Sequence, residues 1–96
     1  MPQFKVSLAA NKDLFEIGQY TQNKFGIKQR NKYLYDLSEK FQFLTDKPEL
    51  GLQKDNIRKN YYSYPVQGHT IYYKKYNYGI RIIRVLHQSM DFQKHL

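Results

Sequence analysis

The sequence predicts an α+β domain, an antiparallel sheet packed on a helical hairpin in the order β-α-α-β-β-β. Three observations predict it. Residues 10–25 and 28–45 carry apolar side chains at helical spacing. After Pro48 the pattern turns to β-branched and aromatic runs, punctuated by Pro65, Gly68 and Asn77-Tyr78-Gly79. A chain of 96 residues has room for one core, so residues 1–96 make a single domain in which helices and strands share that core.

Gln3 to Val6 reads as a short first strand with Phe4 and Val6 on one face. Ser7 can accept hydrogen bonds from the first free amides of a helix. Ala10, Leu14, Ile17, Thr21 and Phe25 form that helix's stripe, with Lys12, Asp13 and Glu16 placed elsewhere on its surface. Gly26 ends it through a left-handed backbone. The second helix runs from about Lys28 to Thr45 with Leu34, Leu37, Phe41 and Leu44 as its stripe, and Asp46-Lys47-Pro48 stops it. So short a break makes the two helices an antiparallel hairpin. A loop covers residues 48–56. Strands are then predicted over Ile57–Tyr64, Gly68–Tyr76 and Ile80–His87, the last two joined by a tight turn at Asn77-Tyr78-Gly79. Leu14, Ile17, Leu34, Leu37, Phe41, Leu44, Ile71 and Val85 are the expected core.

The last strand is where a site is expected. Ile82, Ile83, Val85 and Leu86 point to both faces, as in a central strand covered on both sides. Arg81 and Arg84 fall on opposite faces by simple alternation. One arginine at least therefore meets apolar surface, and it needs an acid, a carbonyl or a bound partner. The strand ends in His87, followed by a polar turn and Met90-Asp91.

Composition narrows the functional classes. The net charge of +8 is uneven: residues 1–53 carry eight Lys/Arg against six Asp/Glu, and residues 54–96 eight against two. The second half should attract nucleic acid or an acidic protein. The chain has no cysteine, which excludes disulfides and thiolate chemistry and fits a cytoplasmic protein. No apolar run is long enough to span a membrane, and Met-Pro-Gln-Phe-Lys-Val lacks the apolar core of a signal peptide.

Seven of the ten tyrosines lie between Tyr61 and Tyr78, interleaved with Lys74 and Lys75 and preceded by Arg58 and Lys59. Aromatic faces with cations suit unpaired bases and phosphates; the simpler reading is that tyrosine suits half-exposed strands. Cleavage of RNA through its 2′-hydroxyl needs proton transfer and a cation on the phosphate, which Arg58, Arg84 and His87 could supply. The simpler reading of His87 is a histidine hydrogen-bonded at a strand end. The histidines and acids show no metal-ligand spacing, and no phosphate-binding glycine loop is present.

The ending Ile-Arg-Val-Leu-His-Gln-Ser-Met-Asp (83–91), followed by His-Leu, resembles the end of ParE-type toxins of type II toxin–antitoxin systems, in the RelE/ParE superfamily. The resemblance extends to Ala10, Asp13, Leu14 and Ile17; to Phe25, Gly26, Gln29, Arg30, Tyr33 and Leu34; to Phe41, Leu44, Pro48 and Gly51; and to Ile57, Arg58, His69, Ile71 and Tyr73. It implies a cytoplasmic toxin that inhibits DNA gyrase by binding and is neutralised by a ParD-like antitoxin. The alternative within the superfamily is a ribosome-dependent mRNA endoribonuclease of the RelE type. A plain RNA-binding module rests on the tyrosines alone.

On the binding reading, no catalytic residue, metal or cofactor is expected, and neither a membrane nor direct contact with nucleic acid. Arg58, His69, Tyr73, Arg81, Arg84, His87, Met90 and Asp91 are the expected antitoxin- or target-binding residues. Arg58 and Arg84 would pair with carboxylates of an extended acidic peptide, and the helical hairpin would hold its apolar anchors. His87 would be structural, and Met90 would anchor the tail by packing.

Overall fold

The computed structural model describes residues 2–90 and 92–95. Its elements are β1 (Gln3–Val6), α1 (Leu8–Phe25), α2 (Ile27–Asp46), β2 (Leu52–Gln53), β3 (Tyr61–Val66), β4 (His69–Tyr76) and β5 (Gly79–His87), with 3-10 turns at Pro48–Leu50 and Phe92–His95. The α+β class and the order of the elements are as predicted, with the two-residue β2 added. The five strands lie in the order β1-β5-β4-β3-β2.

The sheet is mixed rather than antiparallel. β1 runs parallel to β5, while every other pairing is antiparallel. Local turns fix the direction of β3, β4 and β5, but the helical hairpin separates β1 from all of them. Only packing decides where β1 goes and which way it points. Ser7 secures that junction. Its hydroxyl accepts from the Ala10 amide at 3.0 Å, capping α1, and donates to the Ile83 carbonyl of β5 at 2.7 Å.

Residues 57–60, predicted as strand, form turns instead, with Asn60 at φ 67°. The Asn60 amide donates to the Asp55 carboxylate at 3.2 Å, and this local bond competes with ladder pairing. β3 also continues through Pro65, opposite Thr70. β2 pairs only with Tyr62 and Ser63, so beyond them β3 is an edge strand, where a missing N–H costs nothing.

The core lies between the helical hairpin and one face of the sheet. Ile17, Leu37, Phe41 and Leu44 meet Ile71, Tyr73, Ile80, Ile82 and Val85, all buried, and Phe4 packs edge-on against Phe41 at 5.6 Å. Leu14 and Leu34, predicted in the core, are half-buried at its margin. Phe25, predicted on the α1 stripe, is 67% exposed because the helix ends there, beyond the sheet. Tyr73 takes an unexpected role. Its buried hydroxyl donates to the Pro48 carbonyl at 2.7 Å and accepts from the Gly51 amide at 3.0 Å, fastening the loop after α2 to β4. A Cβ at position 51 would collide with that hydroxyl.

The ladder between β4 and β5 is irregular at Tyr72/Tyr73, which leaves Ile83 as an extra residue on β5. Alternation therefore fails across it. Arg81 pairs with Lys74 and stays exposed, while Arg84, paired with Tyr72 beyond the irregularity, turns its side chain to Asp13 of α1, so the two arginines still serve different surfaces.

Candidate functional site

β1 reaches only as far as Ile82, so the last residues of β5 have a neighbouring strand on one side alone. α1 passes along that open side. Between them lies a groove of about 500 Å³, with Asp13, Glu16 and Tyr20 on its helical wall and His69, Arg84, His87 and Met90 opposite.

Asp13 is the centre of the groove. It stands three residues after Ala10 and four before Ile17, on the buried stripe of α1, and is itself buried. The expectation that it lies elsewhere on the helix surface is wrong. Its carboxylate accepts from Arg84 Nε and Nη2, both at 2.8 Å, and from the Val85 backbone amide at 3.0 Å. One side chain thus neutralises the arginine and satisfies a donor on the open edge of β5. The bonds to Asp13 hold the Arg84 guanidinium above its usual pKa despite partial burial. The partner that Arg84 requires comes from its own chain, so it is not held free for a peptide carboxylate.

A second chain of contacts runs along the groove floor. The Tyr33 hydroxyl lies 2.7 Å from His69 Nδ1 and 3.4 Å from the Val66 carbonyl. Burial, and secondarily Asp36, pushes the Tyr33 phenol up, so it keeps its single proton near neutral pH, and the His69 tautomer sets which partner donates across the 2.7 Å contact. His69 is pulled below the ordinary histidine value by burial first and by His87 second. The two imidazoles meet edge-on at 5.7 Å. His87 Nδ1 accepts from the Ser89 amide at 3.2 Å and lies 2.7 Å from the Ser89 hydroxyl, while the Met90 amide donates to the His87 carbonyl at 2.8 Å. His87 is thereby built into the turn that follows β5.

The eight expected site residues divide. His69, Arg84, His87 and Met90 come together in the groove. Tyr73 is a core residue. Arg81 is exposed on the sheet face away from the helices, and Arg58 is exposed in the β2–β3 turn. Asp91 lies outside the described residues. Met90 does not anchor the tail, being 46% exposed. Phe92 does so instead: it is 3% exposed and stacks on Tyr72 at 4.1 Å, holding the C-terminal turn against the sheet. A wholly apolar side chain beyond the polar turn is the signal that points to it. Asp13 was missed although its spacing from Ala10 and Ile17 is plain in the sequence, and Tyr33 shows no sign short of its contact with His69.

Chemically, the groove is poor in positive charge. Among the described residues Arg84 is the one cation lining it, and Asp13 and Glu16 stand beside it. No cluster of metal-ligating side chains occurs among the described residues. No described helix is long and apolar enough to cross a membrane.

Residues 4–92 match the family described as "ParE toxin of type II toxin-antitoxin system, parDE". Among individual proteins, the chain is 32% identical to Toxin ParE1 of Caulobacter vibrioides over 98 aligned positions, covering 100% of this chain and 99% of that one. It is 33% identical to Toxin ParE1 of Mycobacterium tuberculosis over 95 positions, covering 98% and 97%. A solved structure titled "Chromosomal ParDE TA system from P. aeruginosa" superposes with a TM-score of 0.76 over 91% of this chain and 96% of that one, at 17% identity, which is similarity of fold.

Proposed function

Since the chain belongs to the ParE toxin family of type II toxin–antitoxin systems, we propose that it inhibits DNA gyrase by binding and that a ParD-like antitoxin neutralises it. The observation that carries the non-catalytic part is the closed Arg84–Asp13 pair, with both bonds at 2.8 Å. A nuclease site needs a cation free to meet developing charge on phosphate. Here the groove's arginine is already neutralised, with Glu16 alongside to repel an anion. His87 is bonded within its own turn, an arrangement that suits a structural role.

The outer surface of the helical hairpin supports an antitoxin partner. Leu8, Phe15, Phe25 and Tyr35 are 87%, 66%, 67% and 63% exposed, and a bound segment would cover such side chains. The acidic character expected of that partner follows from the basic second half of the chain.

Expression in cells tests the reading. Gyrase poisoning gives DNA damage and filamentation with mRNA intact. Rapid codon-specific mRNA cleavage that disappears in His87→Gln would replace it with the ribonuclease.

A further inference from the structure

The sheet face away from the helices carries a row of cations that the groove does not use. The register sets Lys5 of β1 beside Arg81 of β5, Arg81 beside Lys74 of β4, and Lys74 beside Tyr61 of β3. Directly opposed side chains on neighbouring strands stand about 5 Å apart, and like charges there oppose sheet formation. Three such charges make a line roughly 10 Å long, at right angles to the strands. Among the described residues no carboxylate pairs with any of the three.

Tyrosines hold the ammonium groups instead. Lys5 Nζ lies 4.6 Å from the centre of the Tyr78 ring, and Lys74 Nζ 5.0 Å from Tyr76 and 5.9 Å from Tyr61. Tyr76 and Tyr78 stack on each other at 5.3 Å with 8° between their planes, so the supports brace one another. Ring faces attract a cation without neutralising it. The result is a braced line of positive charge. Phe92 covers the adjoining part of this face over Tyr72, while Lys5 and Arg81 stay exposed.

We propose that the Lys5–Arg81–Lys74 row binds the phosphodiester backbone of nucleic acid without regard to base sequence. A strand carries one phosphate per about 3.4 Å along its axis, so a line of this length meets about three of them. The tyrosines position lysines and do not read bases, since the ammonium groups lie over Tyr76 and Tyr78. An acidic peptide added as a strand would need a free sheet edge. The row instead crosses β1, β5 and β4 on the face of the sheet, where side-chain charge is all it offers. Lys74 with its tyrosines and Arg81 are separate candidates in the sequence, Lys5 is not, and the row they form does not rest on the gyrase reading.

The test is fluorescence anisotropy of the purified full chain with a labelled mixed-sequence oligonucleotide, single-stranded and duplex, across a salt series. The wild type is compared with the triple variant Lys5→Gln, Arg81→Gln, Lys74→Gln. A control loses the same charge from exposed helix and loop positions: Lys12→Gln, Lys28→Gln, Lys47→Gln. Circular dichroism checks that each variant folds. The expected wild-type slope of log affinity against log salt is about −2 to −3. The row variant should bind about tenfold or more weaker with a slope above about −1, while the helix control shifts affinity by less than about threefold. Binding to either nucleic-acid form that depends on the row supports the proposal. Equal weakening in both variants, no binding at low salt, or row-dependent binding of poly-glutamate as tight as that of DNA would overturn it.

Discussion

Asp13 accepts from the Arg84 guanidinium and from the Val85 amide in one buried position. Removing the carboxylate would leave a cation with 19% of its side chain in solvent, and a backbone donor without its acceptor. Asp13→Ala should therefore lower stability by about 2–4 kcal/mol, somewhat below a fully buried pair because Arg84 can partly rehydrate. Chemical denaturation measures this, and a loss below about 0.5 kcal/mol would place the pair among exposed bridges. Combining Asp13→Leu with Arg84→Met should recover only part of the loss: no charge is then stranded, but the Val85 amide still lacks its acceptor. His69 gives a pH dependence. Its folded pKa lies below the ordinary 6.5, so the unfolded chain binds the proton more readily. The stability that His69 contributes is complete above about pH 6.5 and falls as pH drops from there toward the lowered folded value. In wild type minus His69→Gln, stability should decline on acidification through this window; a difference that is flat or rises would contradict the burial of His69.

At the scale of elements, α2 brings Tyr33, Leu37, Phe41 and Leu44 to the core. Leu37 is fully buried against the sheet, and Leu37→Ala should cost about 2–5 kcal/mol in chemical denaturation. The loop after α2 is fixed more narrowly, by the grip of Tyr73 on Pro48 and Gly51. Gly51→Ala should destabilise by about 1–3 kcal/mol, since the Cβ must displace a buried ring. Burial raises the Tyr73 phenol to about 12, well above an exposed tyrosine. These elements were mostly legible because periodicity reports them directly: both helices and the strands β1, β4 and β5 begin and end within a residue or two of their predicted limits. What periodicity cannot report is pairing. The parallel alignment of β1, the extra residue at Ile83 and the turns over residues 57–60 are set by neighbours far away in sequence or by a single side chain such as Asp55.

At the scale of the whole molecule, charge divides the chain into two surfaces. The groove between α1 and β5 holds Asp13 and Glu16 around its one described arginine, while the opposite sheet face carries Lys5, Arg81 and Lys74 in register. The need of a β5 arginine for an acid could be read from the sequence, and so could the convergence of Arg84 and His87 at the strand end. The cation row could not, because its members lie at positions 5, 74 and 81 and only the sheet register aligns them. Toxicity is proposed to come from binding gyrase and not from catalysis. This is tested most directly by adding the purified protein, wild type and His87→Gln, to purified gyrase and DNA, then following supercoiling and trapped cleavage complexes. Glutamine keeps hydrogen-bonding capacity at position 87 but cannot transfer protons near neutral pH, and loss of a catalytic acid or base typically costs about 10²–10⁴ in rate. Both proteins should block supercoiling and trap cleaved DNA at comparable concentrations. Full supercoiling activity in the presence of excess wild-type protein would contradict gyrase inhibition.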